Sequence, residues 1–144
     1  MRIGIFVCYC GSNIAGTVDV EKVAKEALKL PGVVFTQTNL YTCSEPGQDQ
    51  IKKAIKEHAL NRVIVASCSP RVHGVTFMKT VENVGLNPYL LDMANIREHN
   101  SWIHDDKEKA TEKALELIKM AAAKVYRHNE LYPKYFDLRK QKRW

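Results

Sequence analysis

Short apolar runs alternating with amphipathic stretches constrain this chain more than any other feature. RIGIFVC (2–8), VVFTQTNLY (33–41) and RVIVASC (62–68) are rich in β-branched and aromatic residues. Strands covered on both faces have this composition. Helical spacing fills the gaps between them. DVEKVAKEALKL (19–30) places Val20, Val23, Ala24, Ala27 and Leu28 on one face, with Asp19 as N-cap and Pro31-Gly32 as the stop. Ser44 and Pro46 open a second helix, expected to reach about Leu60, with Ile51, Ala54, Ile55 and His58 on one face. Ser69-Pro70 opens a third, running to about Val84 with Gly85 just beyond it.

Asn87-Pro88 leads into YLLDM, the expected fourth strand, and residues 94–104 read as irregular. Asp105 and Glu108 have capping-box spacing and open a last helix to about Tyr126. Its apolar stripe is Ala110, Ala114, Leu117, Ile118 and Ala121. Strands joined through helices run parallel. The alternation therefore predicts a small doubly wound α/β fold, Rossmann/flavodoxin-like, with a mostly parallel sheet of about four strands and helices on both faces.

A chain of 144 residues suits one such domain. With 45% hydrophobic and 26% charged residues it is not a disordered chain. Its formal charge is +6, but seven basic residues against two acidic ones between Ala123 and Trp144 account for most of it. Residues 1–125 are then close to neutral and form the expected α/β domain, with no electrostatic footprint for nucleic acid. Residues 126–144 form a basic, aromatic tail, read here as a docking segment for a partner protein. No apolar run approaches the roughly 20 residues of a membrane span. The start, MRIGIFVCYCGS, has no secretory h-region, and a cytoplasmic location is expected.

The four cysteines fall in a telling pattern. Cys8 and Cys10 close the first strand, Cys43 follows the second and Cys68 ends the third. In an open parallel sheet the carboxyl ends of the strands share one edge, where ligand sites form. The fold is thus expected to gather all four thiols. Helices begin right after Cys43 and Cys68, and their N-termini should lower the pKa of nearby thiols. Four thiolates at one edge call for a cation or a metal cluster between them. Gly11, Gly16 and Gly47 are expected to let backbone N–H groups approach it. Four unrelated buried cysteines are the plainer alternative. The spacing is neither a ferredoxin run nor the paired C-x-x-C of a zinc ribbon, although zinc held by four cysteines fits the chemistry. GSNIAG lacks the Lys of a P-loop and the G-x-G-x-x-G of a dinucleotide site.

FVCYCGSNI (6–14), TCSEPGQ (42–48), VASCSPRVH (65–73) and NPYLLDMANIREHNSWIH (87–104) together resemble the N-terminal iron–sulfur domain of the heterodisulfide reductase A subunit, over about residues 2–125. The resemblance implies one 4Fe-4S cluster held by Cys8, Cys10, Cys43 and Cys68. It implies an electron-transfer component of a larger redox complex, not the catalytic one, so no catalytic residue is assigned. The implied partners are other subunits of that complex, including a flavin-containing remainder of the A subunit. FAD is not expected in this chain, and the tail NELYPKYFDLRKQKRW does not match the family pattern.

Gly11, Asn13 and Arg71 are the further candidates for contact with the cluster. Asn13 bonds either the cluster loop or only its own turn. Arg71 and His73 either hydrogen-bond the cluster or form a surface pair at a helix start. Trp102, with His99 and His104 nearby, reads as core. His58 reads as structural. The reading from another class is a non-redox binding or assembly module with a structural zinc site made of the four cysteines.

Overall fold

Every residue of β1 (Ile3–Cys8) is buried, as a strand covered on both faces must be. Its neighbours in the computed structural model, which describes residues 1–137, are β2 (Val33–Asn39) on one side and β3 (Arg62–Ser67) on the other. β4 (Leu91–Asn95) pairs with β3, giving a four-stranded, all-parallel sheet in the order β2-β1-β3-β4. The expected doubly wound fold is therefore what the chain adopts.

Period-two alternation divides the strands between two cores. Ile3, Ile5 and Val7 of β1 and Ile64 and Ala66 of β3 pack with α1 (Val20–Ala27) and α4 (Lys107–Val125). Phe6, Val63 and Val65 face α2 (Glu45–Glu57) and α3 (Pro70–Glu82). The apolar stripe of α4 buries Ala110, Ala114, Ile118 and Ala121, as its spacing requires, and Leu117 packs at the margin.

The caps at Asp19, Ser44 and Ser69 form as expected: each side chain accepts a hydrogen bond from an amide in the first turn of its helix. His58 ends α2 and stacks on Phe35 with ring centroids 4.2 Å apart, a structural role. Gly85 follows α3 with φ +85°, a conformation that favours glycine.

Three expectations need correction. The fourth strand begins at Leu91, not Tyr89, because Asn87 caps a 3-10 turn over Pro88–Leu90 by accepting from the Tyr89 amide at 3.0 Å. Residues 94–104 are not irregular throughout: β4 runs to Asn95, and a π-helical turn spans Arg97–Ser101. The N-cap of α4 is Asp106, which accepts from the Lys109 amide at 2.8 Å, not Asp105. Among the described residues no helix is long and apolar enough to cross a membrane.

The chain does not leave the domain at Tyr126. Arg62 donates from Nε to the Val125 carbonyl at 3.1 Å and from Nη2 to the His128 carbonyl at 2.9 Å. Asn87 donates to the Leu131 carbonyl at 3.0 Å. The first part of the tail thus lies against its own domain; residues 138–144 are outside the described part of the chain.

Candidate metal centre

β2 lies to one side of β1 and β3 to the other, so the winding reverses direction between β1 and β3. Crevices outside such a switch point are where open α/β sheets hold ligands. Cys8 ends β1 and Cys68 follows β3 by one residue, so both sit at that crevice. Cys10 and Cys43 lie in the loops that leave β1 and β2. All four thiols line one cavity of about 60 Å³, with Tyr41, Ser67, His73, Phe77 and Arg97. None is in a disulfide. A single water needs only about 10–15 Å³ of such space, so the cavity exceeds one water site.

Local geometry explains how the loops deliver the sulfurs. Cys10 has φ +49°, a left-handed conformation uncommon for a residue with a side chain. Asn13 secures it, donating from both its amide and its side-chain nitrogen to the Cys10 carbonyl, each at 3.0 Å. Asn13 is itself exposed and acts on the loop, outside the cavity lining. The Cys8 sulfur accepts from the Cys10 amide at 3.2 Å and the Thr42 amide at 3.4 Å. These are N–H···S contacts of the kind that stabilise thiolate and tune iron–sulfur groups.

The glycines work differently from expectation. The amides of Gly11, Gly16 and Gly47 donate to the Leu40 carbonyl, the Ser12 carbonyl and Ser44 Oγ, so none is left for the cavity. Their contribution is close approach. A Cβ on Gly47 would stand 2.5 Å from the Tyr41 carbonyl oxygen, and Gly11, at φ +60°, sits against the Tyr41 hydroxyl.

Electrostatics also depart from expectation. Burial pushes the Cys43 thiol up, and the charge of neighbouring Cys8 adds to it. Burial pushes the Cys68 thiol up too, with Arg97 pulling the other way and Glu98 adding to the rise. Desolvation is the largest influence at both thiols, and their values lie above the ordinary one where the helix starts predict a lowering. At these two positions burial works against the thiolate, whereas a bound metal centre favours the deprotonated form.

The basic side chain that lines the thiol cavity is Arg97. Arg71 is exposed at the start of α3, outside the cavity lining, while His73, two residues further on, does line the cavity. Arg97 Nη1 donates to the Cys10 sulfur at 3.1 Å, and Nη2 donates to Glu98 Oε1 at 2.9 Å. Trp102, expected in the core, is 57% exposed, and its ring lies 4.8 Å from the Arg97 guanidinium carbon. Sequence reasoning assigned no role to Arg97 or Ser67. A signal existed for Arg97: it follows the fourth strand on the same sheet edge as the cysteines.

Two buried polar atoms bear on what the site can hold. Ser67 Oγ and Arg97 Nε are buried, and among the described residues Arg97 Nε has no hydrogen-bond partner while Ser67 Oγ has only the adjoining Cys68 sulfur. Both residues line the thiol cavity. Among the described residues no three His, Cys, Asp or Glu side chains converge as ligands of a single ion must. Zinc at about 2.3 Å from each sulfur would bring its thiolates within roughly 4 Å of one another. A multi-iron centre spreads its cysteines over separate metal atoms and tolerates a wider set. The residues present fit that kind of group.

Fold and site together define a parallel α/β module with a four-cysteine pocket at its switch point. No protein-family profile matches the chain. Comparison with curated proteins does place it: over nearly its whole length the chain is homologous to a part of the heterodisulfide reductase A subunit. It is 56% identical over 125 residues to an iron–sulfur A subunit of CoB–CoM heterodisulfide reductase from Methanopyrus kandleri, covering 86% of this chain and 19% of that protein. The same identity and coverage hold for the A subunit of the H2:CoB-CoM heterodisulfide, ferredoxin reductase of Methanothermobacter marburgensis. A protein of Archaeoglobus profundus, described as like the heterodisulfide reductase A subunit, is 49% identical over 138 residues, 95% of this chain and 20% of its own. The chain thus spans about a fifth of the length of the curated relatives it matches. A match over 95% of the chain reaches into the tail, correcting the expectation that the tail lies outside the family pattern.

Proposed function

We propose that the chain is an electron-transfer module that holds one 4Fe-4S cluster through Cys8, Cys10, Cys43 and Cys68. Its place would be within a heterodisulfide reductase-type complex, whose other subunits, a flavin-bearing part of the A subunit among them, are its partners. The observation that carries this reading is the convergence of all four cysteines on one cavity from the ends of three parallel strands. Their wide spacing in sequence, from position 8 to position 68, makes that convergence a property of the fold.

Such a cluster supplies one-electron exchange at constant coordination. The chain's own residues do the rest. The Cys10 and Thr42 amides hold the Cys8 sulfur in place, and Asn13 fixes the turn that presents Cys10. Phe77 and Tyr41 wall the cavity and limit water near the sulfurs. No side chain here is required to move a proton or to bind a substrate.

The test is metal and acid-labile sulfide analysis on anaerobically purified protein, with EPR after dithionite reduction. About four iron and four sulfide per chain, with a reduced-cluster signal, are expected. Cys43→Ser and Cys68→Ser should each lose the four-iron signal. Zinc at one per chain without sulfide, or no metal after reconstitution, overturns the reading in favour of a binding module.

A further inference from the structure

The guanidinium of Arg97 is held more firmly than a surface cation needs to be. Nη2 bonds Glu98 Oε1 at 2.9 Å, while Glu98 Oε2 accepts from the Ser69 amide at 2.9 Å. The Glu98 amide donates to Asn95 Oδ1 at 3.0 Å, tying this carboxylate to the end of β4. The Trp102 ring covers the guanidinium, and the Arg97 carbonyl accepts from the Trp102 amide at 3.0 Å. The π-helical turn that begins at Arg97 makes this possible, and such turns recur at functional positions. With Nη2 on Glu98 and the indole ring against it, the guanidinium donates from Nη1 to Cys10 Sγ at 3.1 Å. Its side chain is only 17% exposed, so solvent screens it weakly.

We infer that Arg97 is a positioning residue that sets the reduction potential of the cysteine-bound centre, with Glu98 as its counterweight. The inference rests on the cluster reading above. Reduction adds one electron, and hence one negative charge, to a group already ringed by thiolates, without a proton. A fixed cation on Cys10 stabilises that extra charge and favours the reduced state. Glu98, bonded to the other terminal nitrogen of the guanidinium, offsets part of the effect. Arg71 lies outside the cavity and has no comparable leverage.

The experiment is an EPR-monitored titration of the iron-loaded chain with dithionite and mediators, after iron content and circular dichroism have been matched to the parent protein. Arg97→Met should lower the reduced-to-oxidised ratio at a fixed poise about tenfold, a midpoint shift of about 59 mV downward for one electron. Arg97→Lys should recover part of that shift, since it keeps the charge but loses the fork. Glu98→Gln should move the midpoint upward, and it decides the matter should Arg97→Met fail to load iron. Lys124→Met, which removes an exposed cation paired with Asp92 on β4, should leave the midpoint unchanged. Midpoints of loaded Arg97→Met and Glu98→Gln that match the parent overturn the inference while leaving the cluster reading intact. A parent chain that takes up no iron overturns both.

Discussion

Glu98 joins two parts of the site through one carboxylate, with Arg97 on one oxygen and the start of α3 on the other. Burial works against its charge. The Arg97 bond and the Ser69 amide outweigh burial and hold its pKa below the ordinary value of 4.5. A group with a depressed folded-state pKa contributes stability above its unfolded pKa and loses it as pH falls through the folded value. The metal-free chain should therefore lose stability on acidification, beginning near pH 4.5 and continuing below it. Glu98→Gln should be less stable than the parent at neutral pH by about 1.5–3 kcal/mol, the range for a hydrogen bond to a charged group. It should also show a shallower acid limb in denaturant midpoints measured from about pH 7 to about pH 3. Equal slopes for the two proteins would remove Glu98 from the acid response. At this scale the sequence was legible where chemistry is scarce. Four cysteines at strand ends stand out against any background. Arg97 stands out less: its place after the fourth strand could be read, but its aim at Cys10 depends on a π turn and a covering indole ring that no local pattern announces.

Strands and helices were easier to read than their ends. β1, β3 and the first three caps follow from apolar runs and from Ser or Asp ahead of helical spacing. The start of α4 was harder, since Asp105 and Asp106 are adjacent and both suit a cap. Asp105 has Glu108 three residues on, which makes it the natural choice from spacing alone. The structure settles on Asp106, with its side chain on the Lys109 amide. Asp106→Ala should cost about 1 kcal/mol of stability, as lost caps do, and Asp105→Ala should cost almost nothing. Thermal or urea unfolding of the two variants makes the comparison. A larger loss at Asp105 would contradict the assigned cap. The start of β4 differs from expectation for a related reason. Pro88 and Asn87 favour a 3-10 turn, and that turn consumes the residues whose side chains read as strand.

The C-terminal segment matters for the molecule as a whole. Composition marks residues 126–144 as a unit meant for a partner, and composition cannot show that the segment's first part has a place on its own domain. Arg62, on a strand inside the sheet, holds Val125 and His128 by their carbonyls, and Asn87 holds Leu131. Arg62→Ala should destabilise the fold by about 1–3 kcal/mol through the loss of its two hydrogen bonds to the segment, besides a third to the Asn61 carbonyl. It should also speed amide exchange in residues 126–133 ahead of the rest of the chain. Uniform exchange across the domain would show that Arg62 does not fasten the segment.

The convergence of Cys8, Cys10, Cys43 and Cys68 has a thermodynamic corollary. The thiols become neighbours only when β1, β2 and β3 are paired, so a guest that engages all of them recognises the folded state and not the open chain. Occupancy and folding are then linked equilibria. Each tenfold excess of such a guest over its dissociation constant would add about 1.4 kcal/mol to the unfolding free energy. A chelator strong enough to strip the pocket would act as a denaturant without touching a single hydrophobic contact.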